Sequence, residues 1–363
     1  MTSMLLEGTE TPLPLATINW VFNVSDPDCP TTDPSSAEVW QDVQENVALK
    51  VGFAILTAGT IILFVSFLEA CVFIARKIPH GEEATSLVWI IGIYPVFAVT
   101  SLLGIYFPRA IVLCNLTASL YFSVSLYQAW LLFMFYFGDE AMAYAYMSGM
   151  EIRLLRCFKN PTITITKKNF RRLKAGILQV ATLQPVVLFI EDILWLNGTY
   201  NSSKITWDDA FLYLNSVGLL SSAVALVALT ITLKASKSHL QSQFYVTQKY
   251  LIIILALIFA NMQITLLHIL TFANVIPCRP PFKTEQRANR YQSLILLIES
   301  FLVYPLALLY IRTRKGNIVG ILDTRESIFQ YDVTSNGYVK SKKKPPKRVT
   351  DQRTLHFNTY TSI

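Results

Sequence analysis

Seven long apolar stretches fill most of the chain between residues 51 and 311, and they constrain its fold more than any other feature. A helix that crosses the hydrocarbon core of a bilayer needs about 20 apolar residues. In chain order the stretches are Val51–Ala75, Ser86–Phe107, Ala110–Phe137, Ala175–Leu196, Ala210–Leu233, Leu251–Pro277 and Tyr291–Ile311. They predict an all-α membrane protein with seven transmembrane helices, whose two termini lie on opposite sides of the membrane.

The composition agrees with this prediction. Of all residues, 53% are hydrophobic and only 15% are charged, whereas soluble domains contain about 25% charged residues. The net charge of +7 does not indicate a nucleic-acid partner, because the basic residues lie in short loops and near the carboxyl terminus, without a nucleic-acid motif.

The sequence divides into three parts. Residues 1–48 are predicted to form an extracellular segment, 49–312 the seven-span domain, and 313–363 a basic cytoplasmic tail. The run KSKKKPPKR in the tail combines like charges with prolines and cannot bury a core, so the tail is predicted to be largely disordered. Its charge also suits contact with anionic membrane lipids.

The distribution of Lys and Arg predicts the orientation. The loops after predicted spans one, three and five, together with the tail, hold 24 Lys and Arg, and the opposite side holds six. Loops rich in Lys and Arg stay in the cytoplasm. Three glycosylation sequons, which begin at Asn23, Asn197 and Asn201, fall on the predicted outer side. The amino terminus is therefore predicted to be outside and the carboxyl terminus cytoplasmic.

The five cysteines do not form a metal-binding pattern. There is no CxxC pair and no cluster of Cys and His, so no metal is expected. Cys29 and Cys278 are the two cysteines on the predicted outer side, where disulfides persist, and the sequence leaves open whether they pair. Cys157 lies in a basic inner loop and is either a palmitoylation site or an ordinary free thiol.

Ionisable and amide groups inside the predicted spans need a physical reason, since a charge in lipid costs several kcal/mol unless it is paired or hydrated. The four candidates for a solute pathway are Glu69, Gln263, His268 and Glu299. Each of them either lines a path for solute or makes a hydrogen bond between helices. Glu191 and Asp192, near the outer end of predicted span four, are expected to reach headgroup water.

No catalytic motif is present. The four histidines do not gather, and there is no GxSxG, HExxH, Walker A or dinucleotide fingerprint. The chain is therefore not expected to be an enzyme or to bind a cofactor, and it has no nucleotide site for ATP-driven transport. The seven spans also suggest a receptor, but predicted span three ends in FYFGDEA and predicted span seven lacks an Asn-Pro-x-x-Tyr pattern.

The segment from Cys278 to Leu302 carries a family resemblance. It reads Cys-Arg-Pro-Pro-Phe, then Arg287, then LLIESFL around Glu299. This resembles the organic solute transporter alpha family, in which a Cys-x-Pro-Pro-aromatic element precedes an Arg and, twelve residues later, a Glu-Ser/Thr-Phe-Leu motif. Shorter matches are Phe67-Leu68-Glu69-Ala70, Pro108-Arg109, Lys249 and Gln263. The resemblance covers roughly residues 48–325 and extends to broader relatives of the transmembrane protein 184 type.

Two departures from the family pattern are evident. Residue 70 is Ala where an acidic residue is usual, and Cys157 stands alone where the vertebrate transporter has a run of cysteines. The first weakens any role for a carboxylate pair on predicted span one, and the second weakens the case for heavy palmitoylation.

The resemblance implies facilitated, ATP-independent transport of amphipathic organic solutes, such as steroid conjugates or bile-acid-like anions, across the plasma membrane. It also implies a single-span beta subunit as partner, and it leaves the oligomeric state open. Arg287 joins the pathway candidates, because a loop that folds inward would bring it to Glu299 or to the entering anion. The alternative is an orphan seven-span receptor or a membrane signalling scaffold.

The orientation is testable by glycosylation. Replacing Asn23, Asn197 and Asn201 by Gln is expected to abolish the gel shift that glycosidase treatment produces, because these sequons lie on the predicted outer side. Asn115→Gln is the matched control, since its sequon lies within predicted span three and should not be modified. Antibody access to a carboxyl-terminal epitope in intact cells would contradict the orientation.

Overall fold

The computed structural model describes residues 34–78, 81–153, 162–197, 210–273, 275–278, 280, 282–312 and 317. Its elements are α1 (Ser36–Glu45), α2 (Val47–Lys77), α3 (Gly81–Ile91), α4 (Ile93–Tyr106), a 3-10 turn (Pro108–Ala110), α5 (Ile111–Phe137), α6 (Glu140–Met147), β1 (Glu151–Arg153), β2 (Thr162–Thr164), α7 (Lys167–Leu196), α8 (Ala210–Phe244), α9 (Val246–Leu257), a π turn (Ile258–Met262), α10 (Gln263–Phe272) and α11 (Thr284–Ile311).

Seven helical segments in the described part of the chain are long and apolar enough to cross a membrane, which confirms the predicted number. Spans one to seven are Val47–Lys77, Gly81–Tyr106, Pro108–Phe137, Lys167–Leu196, Leu212–Lys237, Val246–Phe272 and Thr284–Ile311. We call the end of the bundle where span one begins the N-face and the opposite end the C-face. The sequence predicts that the N-face is extracellular.

The helices do not end where the apolar stretches end. Span four begins at Lys167, where Thr166 caps the helix by accepting a hydrogen bond from the Asn169 N–H. Span seven begins at Thr284, seven residues before the predicted start at Tyr291. Polar residues continue a helix as well as apolar ones do, so hydropathy underestimates the length at such ends. Arg287 therefore lies in a helix and not in a loop.

Three elements outside the spans were not predicted. The short helix α1 precedes span one and starts with a capping box, in which Ser35 and Glu38 satisfy each other's backbone N–H groups. Helix α6 and an antiparallel hairpin of β1 and β2 lie between spans three and four. The described residues thus form a mainly helical fold with one small two-stranded sheet, which agrees with the predicted all-α class of membrane protein.

Span two is the most buried of the seven, and span one is the least buried. Span two packs against spans one, three and seven, and the remaining spans follow as neighbours in chain order, three on four, four on five, five on six, and six on seven. Side chains such as Ile55 and Ile62 of span one and Leu302 of span seven stay exposed. Exposed apolar side chains suit a lipid surround, because lipid tails are as apolar as Leu.

Gly92 marks a close approach between spans two and three. It separates α3 from α4, and a Cβ atom at this position would lie 1.9 Å from the Tyr121 hydroxyl and 3.2 Å from the Phe67 ring. Two residues further on, the Tyr94 hydroxyl donates a 2.7 Å hydrogen bond to the Ile252 carbonyl of span six. The absent side chain lets spans one, two and three pack closely around the centre.

Gly92→Ala is expected to destabilise the protein by about 1–3 kcal/mol, as overpacking does in well-packed interiors. Thermal unfolding of the purified full chain measures this loss. Gly52→Ala is the matched control and should be neutral or stabilising, because nothing lies within 4 Å of the added atom. Adding Tyr121→Phe to Gly92→Ala should restore part of the stability, and equal stability of Gly92→Ala and the parent would contradict the packing argument.

Candidate functional site

A cavity with a volume of about 160 Å³, lined by both apolar and polar side chains, lies between the helices in the N-face half of the bundle. Spans three, five and seven contribute residues from their first halves, and spans four and six contribute residues from their second halves. Phe97 of span two and Phe122 of span three form part of its apolar wall. Span one does not contribute to the lining.

Two spans present one continuous face to the cavity. From span four these residues are Gln184, Val187, Leu188, Glu191 and Trp195, and from span seven Glu285, Asn289, Gln292 and Leu296. Steps of three and four residues place side chains on one side of a helix. The polar side chains of both spans therefore border the same cavity.

Span six reaches the cavity through an irregular turn. A π turn over Ile258–Met262 interrupts the helix, and Asn261 in this turn lines the cavity while its side chain donates to the Leu257 carbonyl at 3.2 Å. Such turns are rare and are frequent at functional sites. Thr265, one turn further along, also lines the cavity and donates a 3.4 Å hydrogen bond to Asn215 of span five.

Several buried polar atoms of the lining lack a protein partner. They are Ser119 Oγ, Gln184 Oε1, Gln286 Oε1 and Gln292 Oε1, none of which has a hydrogen-bond partner among the described residues. A buried polar group without a partner costs roughly 1–3 kcal/mol. Four such atoms around one cavity indicate a space that accepts polar groups of a ligand or water.

The cavity is acidic. Glu191 and Asp192 line it, together with Glu285, and none of the described residues in the lining is Lys or Arg. Glu191 and Asp192 form no ion pair within the described part of the chain. The sequence predicts that these two carboxylates reach headgroup water, and the structure places both of them in the lining of the cavity.

Of the five predicted pathway residues, one lines the cavity. His268 lies in its wall. Gln263 and Glu299 instead contact each other between spans six and seven: with its amide oriented to satisfy both partners, Gln263 donates to Glu299 Oε2 at 3.3 Å and to the Phe259 carbonyl at 3.0 Å. Glu299 lies three residues beyond Leu296, or about 4.5 Å further along the helix axis. It therefore sits next to the C-face end of the cavity.

Glu69 forms an ion pair at the C-face end of span one. Arg312 donates a 2.7 Å hydrogen bond from Nε to Glu69 Oε2 and a second hydrogen bond from Nη2 to Glu69 Oε1. The guanidinium group of Arg312 also lies over the Phe73 ring. The hydrogen bond to Glu69 raises the pKa of Arg312. The side chains of Glu69 and Arg312 are 53% and 41% exposed, so this pair lies on the outer surface of the bundle and away from the cavity.

Arg287 makes contacts other than the predicted one with Glu299. It donates to the Pro277 carbonyl and, at 2.8 Å, to the Tyr291 hydroxyl. Arg287 and Glu299 are twelve residues apart in one helix, which separates them by about 18 Å. The proposed contact between these two residues is therefore wrong. Arg287 instead joins the start of span seven to the preceding segment.

The predicted modification sites are only partly within the described residues. Asn23, Asn201, Cys29 and Cys157 lie outside them. Asn197 is described and follows the last residue of span four at the N-face. Cys278 is disulfide-bonded, whereas the other described cysteines, Cys71 and Cys114, are free thiols. The pairing of Cys278 with Cys29 stays a prediction.

A buried charged network holds the C-face ends of three spans together. Lys249 of span six donates to the Tyr136 hydroxyl of span three at 2.5 Å and to Asn317 Oδ1 at 2.8 Å. Tyr136 donates in turn to Glu83 of span two at 3.2 Å and stacks on Phe244. Glu83 is 0% and Lys249 3% exposed. The network closes the bundle on the side opposite the cavity.

These features define a seven-span membrane protein with a polar cavity in one half of its helix bundle. A family model described as organic solute transporter Ostalpha matches residues 52–311, which is well over half of the chain. The chain belongs to this family, as the resemblance suggested.

Known proteins that resemble the chain agree. The organic solute transporter subunit alpha of Leucoraja erinaceus is 28% identical over 300 residues, covering 81% of this chain and 84% of the relative. The Danio rerio protein of the same name is 25% identical over 291 residues, 78% of this chain and 87% of the relative. A transmembrane protein 184 homolog of Dictyostelium discoideum is 23% identical over 264 residues, 68% of this chain and 50% of the relative. No solved structure matches the chain.

The buried network predicts that replacing Lys249 costs much more stability than replacing an exposed lysine. Lys249→Met is expected to destabilise the protein by about 3–5 kcal/mol, because it removes the buried ammonium group that donates to Tyr136 and Asn317 and so breaks the network. Thermal unfolding of the purified chain checks this value. Lys174→Met is the matched control and should lose about 1 kcal/mol or less, since Lys174 pairs with Glu140 at an exposed site. If Lys249→Met were as stable as Lys174→Met, the structural role of the buried network would be refuted.

Proposed function

We propose that this protein carries amphipathic organic solutes down their concentration gradients through the cavity, without ATP and without enzymatic turnover. The cavity carries the proposal, because it combines apolar walls with a few convergent polar groups, as small-molecule sites usually do. Membership of the organic solute transporter family supports the same conclusion. Solute would enter from the N-face, which the sequence predicts to be the extracellular side of the plasma membrane.

The C-face network and the Gln263–Glu299 contact supply the second half of the proposed path. In the described structure the C-face ends of spans two, three and six are tied by Lys249, Tyr136 and Glu83. Passage to the C-face then requires these ties to rearrange, with Glu299 as the next polar group beyond the cavity. A protein that closes one face while the other holds the cavity is suited to alternating access.

The resemblance suggests steroid conjugates and bile-acid-like anions as the solutes. The relatives are named as transporter subunits, which supports the prediction of a single-span beta subunit as partner of this chain. The apolar lining, which includes Val187, Leu188 and Ile264, suits a hydrocarbon skeleton of the steroid type. The alternative of a receptor or a signalling scaffold is not favoured by the comparisons.

Filling the cavity tests the proposal. Gly218 is buried in the lining, with the Gln184 amide 3.5 Å from where its Cβ would be. Gly218→Leu is expected to lower downhill solute flux at least tenfold, because the new side chain occupies the cavity. Flux of a panel of labelled steroids into vesicles, with and without a candidate beta subunit, measures this. Gly52→Leu is the matched control in open space on span one and should leave flux unchanged.

Equal flux through the Gly218→Leu variant and the parent would place the path elsewhere. Uphill accumulation driven by ATP or by a sodium gradient would contradict facilitated transport. A chain that moves no labelled steroid with any subunit, yet still binds ligand, would favour the receptor alternative.

A further inference from the structure

The polar side chains that line the cavity lie at two depths. Within the described lining, the titratable side chains all lie within five residues, or about 8 Å, of the N-face ends of their spans: Glu191, Asp192, His268 and Glu285. A second set of polar side chains lies at least eight residues, or about 12 Å, from these ends, and its members are uncharged: Ser119, Gln184, Asn261 and Gln292. We call this second set the inner level.

We propose that the inner level is a subsite for a hydroxyl group on the apolar body of the solute, and that Gln292 and Gln184 make the cavity prefer hydroxylated skeletons. This inference rests on the proposed function, because it assigns specificity-determining residues to the same cavity. It concerns the uncharged end of the solute, so it applies to an anionic amphiphile as well as to a neutral one.

The first argument is the set of buried polar atoms at the inner level. Gln292 is 7% exposed and lines the cavity, and its Oε1 has no hydrogen-bond partner among the described residues. Gln184 Oε1 and Ser119 Oγ are also buried without a partner in that part of the chain. Unpaired buried polar atoms lower stability. Three of them, contributed by three different spans, indicate a place where a ligand group completes the hydrogen bonds.

The second argument is the chemistry of these atoms. A glutamine amide offers one acceptor oxygen and one donor nitrogen, and a serine hydroxyl both donates and accepts. A hydroxyl group on the ligand also does both, so it satisfies these side chains whichever way each amide is turned. A ketone, a sulfate or a carboxylate only accepts, and each of them leaves an amide oxygen unpaired.

The third argument is the apolar surroundings of the inner level. Phe97 and Phe122 line the cavity, are 1% and 2% exposed, and have ring centroids 6.1 Å apart. Leu296 lines the cavity one helical turn beyond Gln292. Such walls suit a hydrocarbon skeleton. A site that hydrogen-bonds a substrate hydroxyl in these surroundings discriminates strongly against the analogue without it, because its own buried polar groups then stay unpaired.

Binding of three matched probes tests the inference. They share one saturated steroid skeleton with a sulfate at one end, and they carry a hydroxyl, a ketone or only hydrogen at the other end. Purified full chain is expected to bind the hydroxyl probe at least tenfold more tightly than the hydrogen probe, and more tightly than the ketone probe, which cannot donate. The same series without the sulfate should show the same preference, because the inner level contacts the hydroxyl and not the head.

Replacing the inner amides should remove this preference. Gln292→Met keeps a side chain of similar length and loses the amide, so it should lower the affinity ratio of hydroxyl to hydrogen probe at least fivefold. Its affinity for the hydrogen probe should stay equal or rise, because the subsite becomes more apolar. If Gln292 only supported the packing of span seven, both probes would bind more weakly by the same factor. Gln184→Met is the second variant and should shift the ratio in the same direction.

The matched control is Gln179→Met, which removes an amide of the same span four that is not part of the described lining. Gln179 donates to the Ser221 carbonyl at 3.4 Å. This variant should keep the full hydroxyl preference, and size-exclusion elution checks that each variant is folded. Equal affinity of the parent for the hydroxyl and hydrogen probes, or a preference that survives in both Gln292→Met and Gln184→Met, would overturn the inference.

Flux of the sulfated probes into vesicles, with and without a candidate beta subunit, separates this inference from the proposed function. Downhill flux together with the hydroxyl preference in binding supports both. Downhill flux with equal affinity for the hydroxyl and hydrogen probes supports transport and overturns the hydroxyl subsite. Amide-dependent binding of the hydroxyl probe without flux of any probe supports the subsite and overturns transport. If no probe binds and none moves, both are overturned.

Discussion

The buried cation of Lys249 is the constraint on which the rest of the helix bundle depends. A cation at this depth is tolerated only when it is paired and hydrogen-bonded, and Lys249 achieves this with groups from three other parts of the chain: Tyr136, Asn317 and, through Tyr136, Glu83. Because each partner comes from a different span or from the segment after span seven, satisfying one charge fixes several helix ends at the C-face. The cavity lies in the other half of the bundle, towards the N-face.

The two halves of the bundle therefore differ in how well their buried polar groups are satisfied. At the C-face, polar groups are satisfied by one another, and the centre of span two is close-packed, with Gly92 against Tyr121. In the cavity, Gln184 and Gln292 leave amide oxygens without partners among the described residues, and Glu191 and Asp192 place two adjacent carboxyl groups in the lining. Buried polar groups without partners lower stability. Their presence in one place is understandable if a ligand supplies the missing partners.

The sequence predicts the number and approximate position of the spans, because apolar length is a local property that the bilayer itself imposes. It does not predict the face that a span turns to its neighbours. The position of Glu191 and Asp192 near the end of a span predicts contact with headgroup water, and only the packing of six spans shows that the two residues line a cavity. The fall in hydropathy before Tyr291 predicts a loop at Arg287, although the helix begins earlier, at Thr284, with polar residues in its first two turns. Gln292 carries no sequence signal, since a lone Gln near the start of a span usually bonds a neighbouring helix.

The main residues that carry the family resemblance, Cys278, Arg287 and Glu299, do not line the cavity. Cys278 is held in a disulfide, Arg287 joins the start of span seven to the Pro277 carbonyl, and Glu299 meets Gln263 of span six. These three contacts set the position of span seven. The face that it then turns to the cavity is formed by other residues, among them Asn289 and Gln292. The recognisable motif thus positions span seven, and the cavity is lined by side chains that lie beside the motif. A family resemblance that rests on the motif consequently indicates transport of organic solutes and does not specify which solute is carried.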